Sequence, residues 1–119
     1  MPALSKPMLG RGTSGRDLKE ALGNYVRSLR ETAGLTQADL AKAVDIKHYA
    51  AISAIENGRN VVPPERYLAF AKALNVPHAE FMKEVLKYTN PWAFILLFSE
   101  RPDAEIKKLN LAMNTRLAA

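Results

Sequence analysis

The sequence contains no cysteine among its 119 residues, and this absence removes two kinds of chemistry. A chain without thiols can form neither a disulfide nor a metal site built on thiolates. Its two histidines, His48 and His78, lie far apart and lack the spacing of zinc ligands. We therefore expect no metal ion and no cofactor.

Long hydrophobic runs are also absent. The longest, Trp92 to Phe98, is far shorter than the roughly 20 apolar residues that span a bilayer. The first residues, Met1 to Gly12, lack the apolar centre of a signal peptide. These absences predict a cytoplasmic protein with no membrane partner.

The composition that remains is that of a globular, mildly basic protein. Hydrophobic residues make up 48% of the chain, which is enough for a packed core. The 17 lysines and arginines exceed the 12 aspartates and glutamates, and the net charge of +5 is compatible with a polyanionic partner. No nucleophile has a matching base, and no paired carboxylates form a catalytic motif. We expect one domain with an appendage, and no enzymatic activity.

The most informative stretch predicts two short helices in succession. Thr36 and Asp39 have the spacing of a capping box, which begins a helix. Ile52 and Ile55 mark the buried side of the next helix, and Gly58 suits the left-handed residue that follows its end. Two short helices joined at a steep angle form the motif that places its second helix in a DNA major groove.

These residues resemble a known family, the helix-turn-helix domains of the phage-repressor and Cro type, also called the xenobiotic response element family. The resemblance covers about residues 17–88 and rests on four segments: Gly34-Leu35-Thr36-Gln37, Leu40-Ala41, Ile52 to Gly58, and Ala73 to Val76. The chain departs from the pattern at Asp45, where glycine is usual, and it has one extra residue between Gln37 and Gly58.

The resemblance implies an all-α, lambda-repressor-like domain of five helices, encoded by a bacterium or a phage. It also implies a repressor-type transcriptional regulator that binds double-stranded DNA as a homodimer. We expect three parts: a basic N-terminal arm over residues 1–15, the helix-turn-helix domain over 16–88, and a helical C-terminal extension over 89–119. The arm could reach a minor groove, although a disordered chain end is the more usual case.

Capping residues and prolines predict where several of the helices begin. Ser14 with Asp17 would cap the first helix, and Pro64 and Pro77 suit the first turns of the fourth and fifth. Asn90 would cap a very apolar helix that ends before Pro102.

Two groups of residues are candidates for DNA contact. The exposed positions on or before the third helix could read bases, by donating to guanine or by packing on a thymine methyl group. These base-reading candidates are Lys47, His48, Tyr49, Ala50, Ser53 and Ala54. Polar residues around them suit phosphate contacts, which position a protein without reading sequence. The phosphate candidates are Arg27, Gln37, Asn57, Arg59 and Asn60. Packing of Tyr49 as an aromatic, and an ordinary solvated surface position for the phosphate candidates, remain alternatives.

By the same resemblance, Arg30 and Glu56 form an internal salt bridge between the first and third helices, and we interpret the pair as structural. The C-terminal extension carries many large apolar residues, which either complete the core or form a dimer interface. We favour the interface, whose candidate residues are Trp92, Phe94, Ile95, Leu97, Phe98, Ile106, Leu109 and Met113.

Two other functions remain open. The extension could cover a different protein, as in an antitoxin, or the domain could bind DNA without sequence preference. No small-molecule effector is indicated by the sequence. Whether the protein represses or activates depends on where its site lies relative to a promoter.

Overall fold

The computed structural model describes the backbone of residues 15–118 and the side chains of residues 16–114. This part of the chain forms seven α-helices and contains no strand, which confirms the all-α prediction. They are α1 (Gly15–Thr32), α2 (Gln37–Ala43), α3 (Tyr49–Glu56), α4 (Tyr67–Ala73), α5 (His78–Thr89), α6 (Pro91–Phe98) and α7 (Pro102–Ala118). A 3-10 turn over Pro64–Arg66 leads into α4. The predicted basic arm, apart from its last residue, and the predicted cap Ser14 lie outside the described residues.

The start of α2 has the predicted capping box. The Thr36 side chain accepts a hydrogen bond from the Asp39 backbone N–H at 3.0 Å, and the Asp39 carboxylate accepts one from the Thr36 N–H at 3.0 Å. The connection to α3 includes Asp45 at a φ of 58°, so an aspartate adopts the left-handed conformation there. Gly58, with a φ of 77°, takes the same conformation beyond α3, as expected.

One hydrophobic core unites α1 to α5. Its fully buried members include Leu22 and Val26 from α1, Ile52 from α3, Phe70 from α4 and Phe81 from α5. The crossing of α1 and α3 is close because α1 presents a glycine there. A Cβ atom built on Gly23 would lie 2.5 Å from the backbone carbonyl oxygens of Ile55 and Glu56. The five-helix bundle therefore closes around its own core.

The extension packs onto this bundle through α5. Asn90 caps α6 by accepting a hydrogen bond from the Ala93 N–H at 3.1 Å, as predicted. The indole N–H of Trp92 donates to the side-chain oxygen of Asn110 at 2.7 Å, which joins α6 to α7. Among the described residues, no helix has the length and apolar character of a membrane span.

Two residues expected at a dimer interface are instead buried within the chain. Ile95 of α6 is 2% exposed and Leu109 of α7 is fully buried. This chain alone therefore encloses both side chains, and the interface role expected for them stays a prediction. Phe94, Ile106 and Met113 are half-buried. Trp92, Leu97 and Phe98 keep large exposed surfaces, as does Leu96, which the sequence interpretation omitted.

Candidate nucleic-acid interface

The two sides of α3 differ sharply in burial. Ile52, Ile55 and Glu56 face inward and are buried. On the outer side Tyr49 is 60% exposed and Ala50 is also exposed. This amphipathic arrangement anchors α3 along one face and leaves the other open to solvent.

The buried carboxylate of Glu56 attaches α3 to the neighbouring helices by hydrogen bonds. Arg30 of α1 donates to it twice, from Nε to Oε2 at 2.6 Å and from Nη2 to Oε1 at 3.1 Å. The same arginine donates from Nη1 to the Leu35 carbonyl at 2.7 Å. Gln37 of α2 donates from Nε2 to Oε1 at 3.1 Å, and Arg27 Nε lies 3.4 Å from that oxygen. One carboxylate therefore joins α1, α2 and α3.

The charge state of this cluster follows from its contacts. Burial acts to raise the pKa of Glu56, but hydrogen bonds from Arg30 and Gln37 outweigh it and hold that pKa below its ordinary value. The hydrogen bond to Glu56 raises the pKa of Arg30, although burial opposes it. Both groups are charged at neutral pH, and their ion pair has little contact with solvent.

The contact of Gln37 with Glu56 differs from the phosphate contact expected for it. Its amide nitrogen points into the cluster and the residue is half-buried. Arg27 likewise donates inward, to the Glu56 carbonyl at 3.4 Å and to the Asn57 side-chain oxygen at 3.1 Å. These two phosphate candidates thus act as supports for α3 in this structure.

Asn57 connects the cluster to the outer side of α3. It receives the Arg27 hydrogen bond on Oδ1, and its Nδ2 donates to the Ser53 hydroxyl at 3.3 Å. Ser53, a base-reading candidate, is therefore linked through Asn57 to α1. No sequence motif signals this link, because the contribution of Arg27 comes from 30 residues away.

The other candidates surround the outer side of α3. Lys47 and His48 precede the helix and are exposed, and His48 makes no side-chain capping bond. Half-buried Ala54 accepts backbone hydrogen bonds on its carbonyl from Arg59 at 2.9 Å and Asn60 at 3.2 Å. The side chains of Arg59 and Asn60 are exposed just after the helix.

A shallow cleft next to this surface includes residues that sequence reasoning missed. It has a volume of about 510 Å3 between α2 and the connection to α3. Lys42 and Ile46 line it together with the candidates Lys47 and Tyr49. Lys42 follows Ala38, another lining residue, at the four-residue spacing of one helix face, but no sequence motif marks that face as a site.

The described residues contain no group of three or more histidine, aspartate and glutamate side chains placed to hold a metal ion.

No curated protein matches the chain significantly. Among solved structures, the chain is similar to the crystal structure of the clp gene regulator ClgR from C. glutamicum. The two share 34% identity at a TM-score of 0.48, and the match covers 57% of this chain and 87% of that one.

The model of the family described as "Helix-turn-helix domain" matches residues 21–81, which is just over half of the chain. The match begins within α1 and ends within α5, so it includes α2, α3 and the cluster around Glu56. The chain belongs to the helix-turn-helix domain family.

Proposed function

We propose that this protein is a transcriptional regulator of the xenobiotic-response-element type, which binds a specific double-stranded DNA site through α3. The observation that carries the proposal is the contrast between the two sides of that helix. Its inner side is held by the buried Glu56 cluster, while its outer side presents exposed Tyr49 and Ala50. A helix held in this way can enter a major groove with little loss of conformational freedom.

The outer residues have the chemistry for reading bases. Lys47 can donate to guanine, Ser53 can bond to either kind of base, and Ala50 can pack on a thymine methyl group. Arg59 and Asn60, exposed after α3, suit phosphate contacts that set its register. Affinity would then come largely from phosphates and specificity from α3.

Selection of bound fragments from genomic DNA tests this proposal. We expect the wild-type protein to enrich a single palindromic motif. Tyr49→Ala and Ser53→Ala should each change the preference at one or two base pairs per half-site by about 1–3 kcal/mol. Lys108→Ala removes an exposed cation from α7 and serves as the control, which should return the wild-type motif. Enrichment of random sequence by the wild-type chain would instead identify a nonspecific binder.

A palindromic site calls for two copies of the domain, and we propose that α6 joins them. Leu96 and Leu97 are each 65% exposed, and Phe98 is 46% exposed. Adjacent exposed apolar residues of this size are typical of an interaction surface. Pairing of two subunits there would set two copies of α3 on successive half-sites.

Light scattering of the full-length chain tests the dimer. Leu97→Glu should shift a wild-type dimer toward monomer, because it would place a carboxylate in the apolar interface. Leu68→Glu is the matched control, since Leu68 of α4 is 53% exposed but lies outside α6. A wild-type chain that is monomeric at concentrations where it binds the palindrome would contradict this interface.

The same exposed residues of α6 support a second candidate, in which they contact a different protein, as an antitoxin contacts its toxin. Co-purification of a second chain from the native host distinguishes the two. Under this alternative Leu97→Glu would release that chain and leave the affinity for DNA unchanged.

A further inference from the structure

A cavity of about 320 Å3 lies where the bundle meets its C-terminal extension. Leu18 and Leu22 of α1 form one wall, and Trp92 of α6 and Met113 of α7 contribute to the others. Leu18 and Leu22 are buried, so this wall of the cavity is apolar. Its volume is at the lower end of the range for small-molecule sites, roughly 300–1,000 Å3.

One charged residue, Lys19, lines this cavity. It is exposed, and within the described part of the chain no carboxylate lies at ion-pair distance from it. Three other polar side chains line the cavity: Tyr88 is half-buried, and the other two have their donors in use. Thr89 donates to the Val85 carbonyl at 2.8 Å, and Trp92 donates to Asn110 at 2.7 Å.

We propose that this cavity binds a small organic acid with a cyclic apolar body, whose carboxylate pairs with Lys19. An enclosed apolar cavity of about 150 Å3 accommodates benzene. The cavity here is larger but partly open to solvent, because Lys19 and Trp92 at its edge are exposed, and it has room for one ring with a short acidic side chain. The ammonium of Lys19 then favours an anion over a neutral compound of the same shape.

The position of the cavity makes such a ligand an effector, which the sequence alone did not indicate. Its walls come from α1, which holds Glu56 through Arg30, and from α6 and α7, which carry the proposed dimer surface. A ligand that contacts all three stabilises one arrangement of these elements over others. The ligand would thereby change the affinity for DNA. This consequence rests on the proposed function, whereas binding of the acid does not.

Fluorescence of Trp92, the single tryptophan, reports binding directly on the full chain without DNA. We expect phenylacetate to give a saturable change and phenylacetamide, its neutral counterpart, to bind about fivefold more weakly, as for a partly exposed ion pair. Lys19→Met should bring the affinity for phenylacetate down to that for the amide. Lys108→Met is the matched control and should leave the difference intact.

A second pair of variants locates the site. Val61→Phe adds volume at a residue of the lining and should weaken both compounds, whereas Leu68→Phe adds the same kind of group to α4, outside the lining, and should not. Circular dichroism confirms that the variants are folded. Absence of saturable binding in the wild-type chain, equal affinity for acid and amide, or equal loss in both phenylalanine variants would overturn the proposal. A failed operator selection would leave these measurements unaffected.

Discussion

Among single residues, Glu56 contributes most to holding α1, α2 and α3 together. Its carboxylate has no contact with solvent and receives donors from Arg27, Arg30 and Gln37. Replacement by alanine leaves Arg30, whose side chain is 12% exposed, without its partner. We expect Glu56→Ala to lower the free energy of unfolding by about 3–5 kcal/mol in urea denaturation. Glu65→Ala, at an exposed glutamate, is the control and should change it by less than about 0.5 kcal/mol. A similar small loss in both variants would contradict the role of Glu56.

The same carboxylate makes stability depend on acid pH. The pKa of Glu56 in the folded protein lies below its ordinary value of 4.5. As the pH falls below 4.5, the unfolded chain therefore binds more protons at this residue than the folded chain does. Its stabilisation is therefore complete above that pH and is lost as the pH falls through the lowered pKa. Glu56→Gln should show a shallower decline in thermal stability over this acid range than the wild type. Glu65→Gln should follow the wild-type decline.

A second buried ion pair, formed by Glu84 and Lys87 of α5, has a longer contact than the pair of Arg30 and Glu56. Each residue is 5% exposed, and Lys87 Nζ lies 3.9 Å from Glu84 Oε1. That oxygen accepts no hydrogen bond within the described residues, and burial raises the pKa of Glu84, against the attraction of Lys87. We expect Glu84→Leu combined with Lys87→Met to be neutral or stabilising by about 1–4 kcal/mol. Glu84→Leu alone should be destabilising, since Lys87 would lose the carboxylate 3.9 Å away and keep its charge in a buried position beside the Tyr88 ring. Calorimetry of the three proteins decides, and a double variant less stable than the single one would contradict this account.

The capping box of Thr36 and Asp39 could be predicted because its hydrogen bonds join residues three apart in sequence. The contact of Gln37 with Glu56 could not, since it depends on how α2 is placed against α3. The spacing of residues along one helix specifies only which of them share a face.

At the scale of helices, the crossing of α1 over α3 depends on Gly23. A Cβ there would meet two backbone carbonyl groups, which cannot rotate away as a side chain can. We expect Gly23→Ala to destabilise the fold by about 3 kcal/mol or more, although alanine favours helix formation. Gly34→Ala makes a matched comparison, because Gly34 has open space but a φ of 75°. Its cost should be about 1–2 kcal/mol from backbone strain alone. Equal losses would show that packing at the crossing is not tight.

The buried side of α6, in the C-terminal extension, could not be predicted from the sequence. Every residue of α6 from Trp92 to Phe98 is apolar, so no periodic pattern distinguishes a buried side from an exposed one. Ile95 is buried while neighbouring Leu96 and Leu97 are exposed. The packing of α6 against its neighbours determines which of these residues is buried. The start of α6, by contrast, was predicted from Asn90 and Pro91.

For the protein as a whole, the salt dependence of DNA binding should report how many of its 17 lysines and arginines contact phosphates, and not its net charge of +5. Each phosphate neutralised contributes about −0.9 to the slope of log affinity against log salt. Arg59→Ala should therefore reduce the steepness by about 1 and weaken all sequences alike. Lys108→Ala should keep the wild-type slope. A change in base preference on replacing Arg59 would assign it to base reading instead.

The overall architecture was largely predictable, because the motif from Gly34 to Gly58 specifies both short helices and the family. The arrangement of the C-terminal extension was not, because the resemblance ends at about residue 88 and the uniformly apolar sequence of α6 marks no buried side. The cavity lined by Leu18, Trp92 and Met113 was also unforeseen, since its walls come from distant parts of the chain.

The contacts of Glu56 also have a consequence for the order of folding. Its donors are 19 to 29 residues away along the chain, in two other helices. A carboxylate that loses water before those donors arrive is costly, so the contacts should form after the folding transition state. Loss of Glu56 should then accelerate unfolding far more than it slows refolding. Stopped-flow measurements should then show that the cluster lowers the unfolding rate, and so lengthens the lifetime of the folded domain, with little effect on the folding rate.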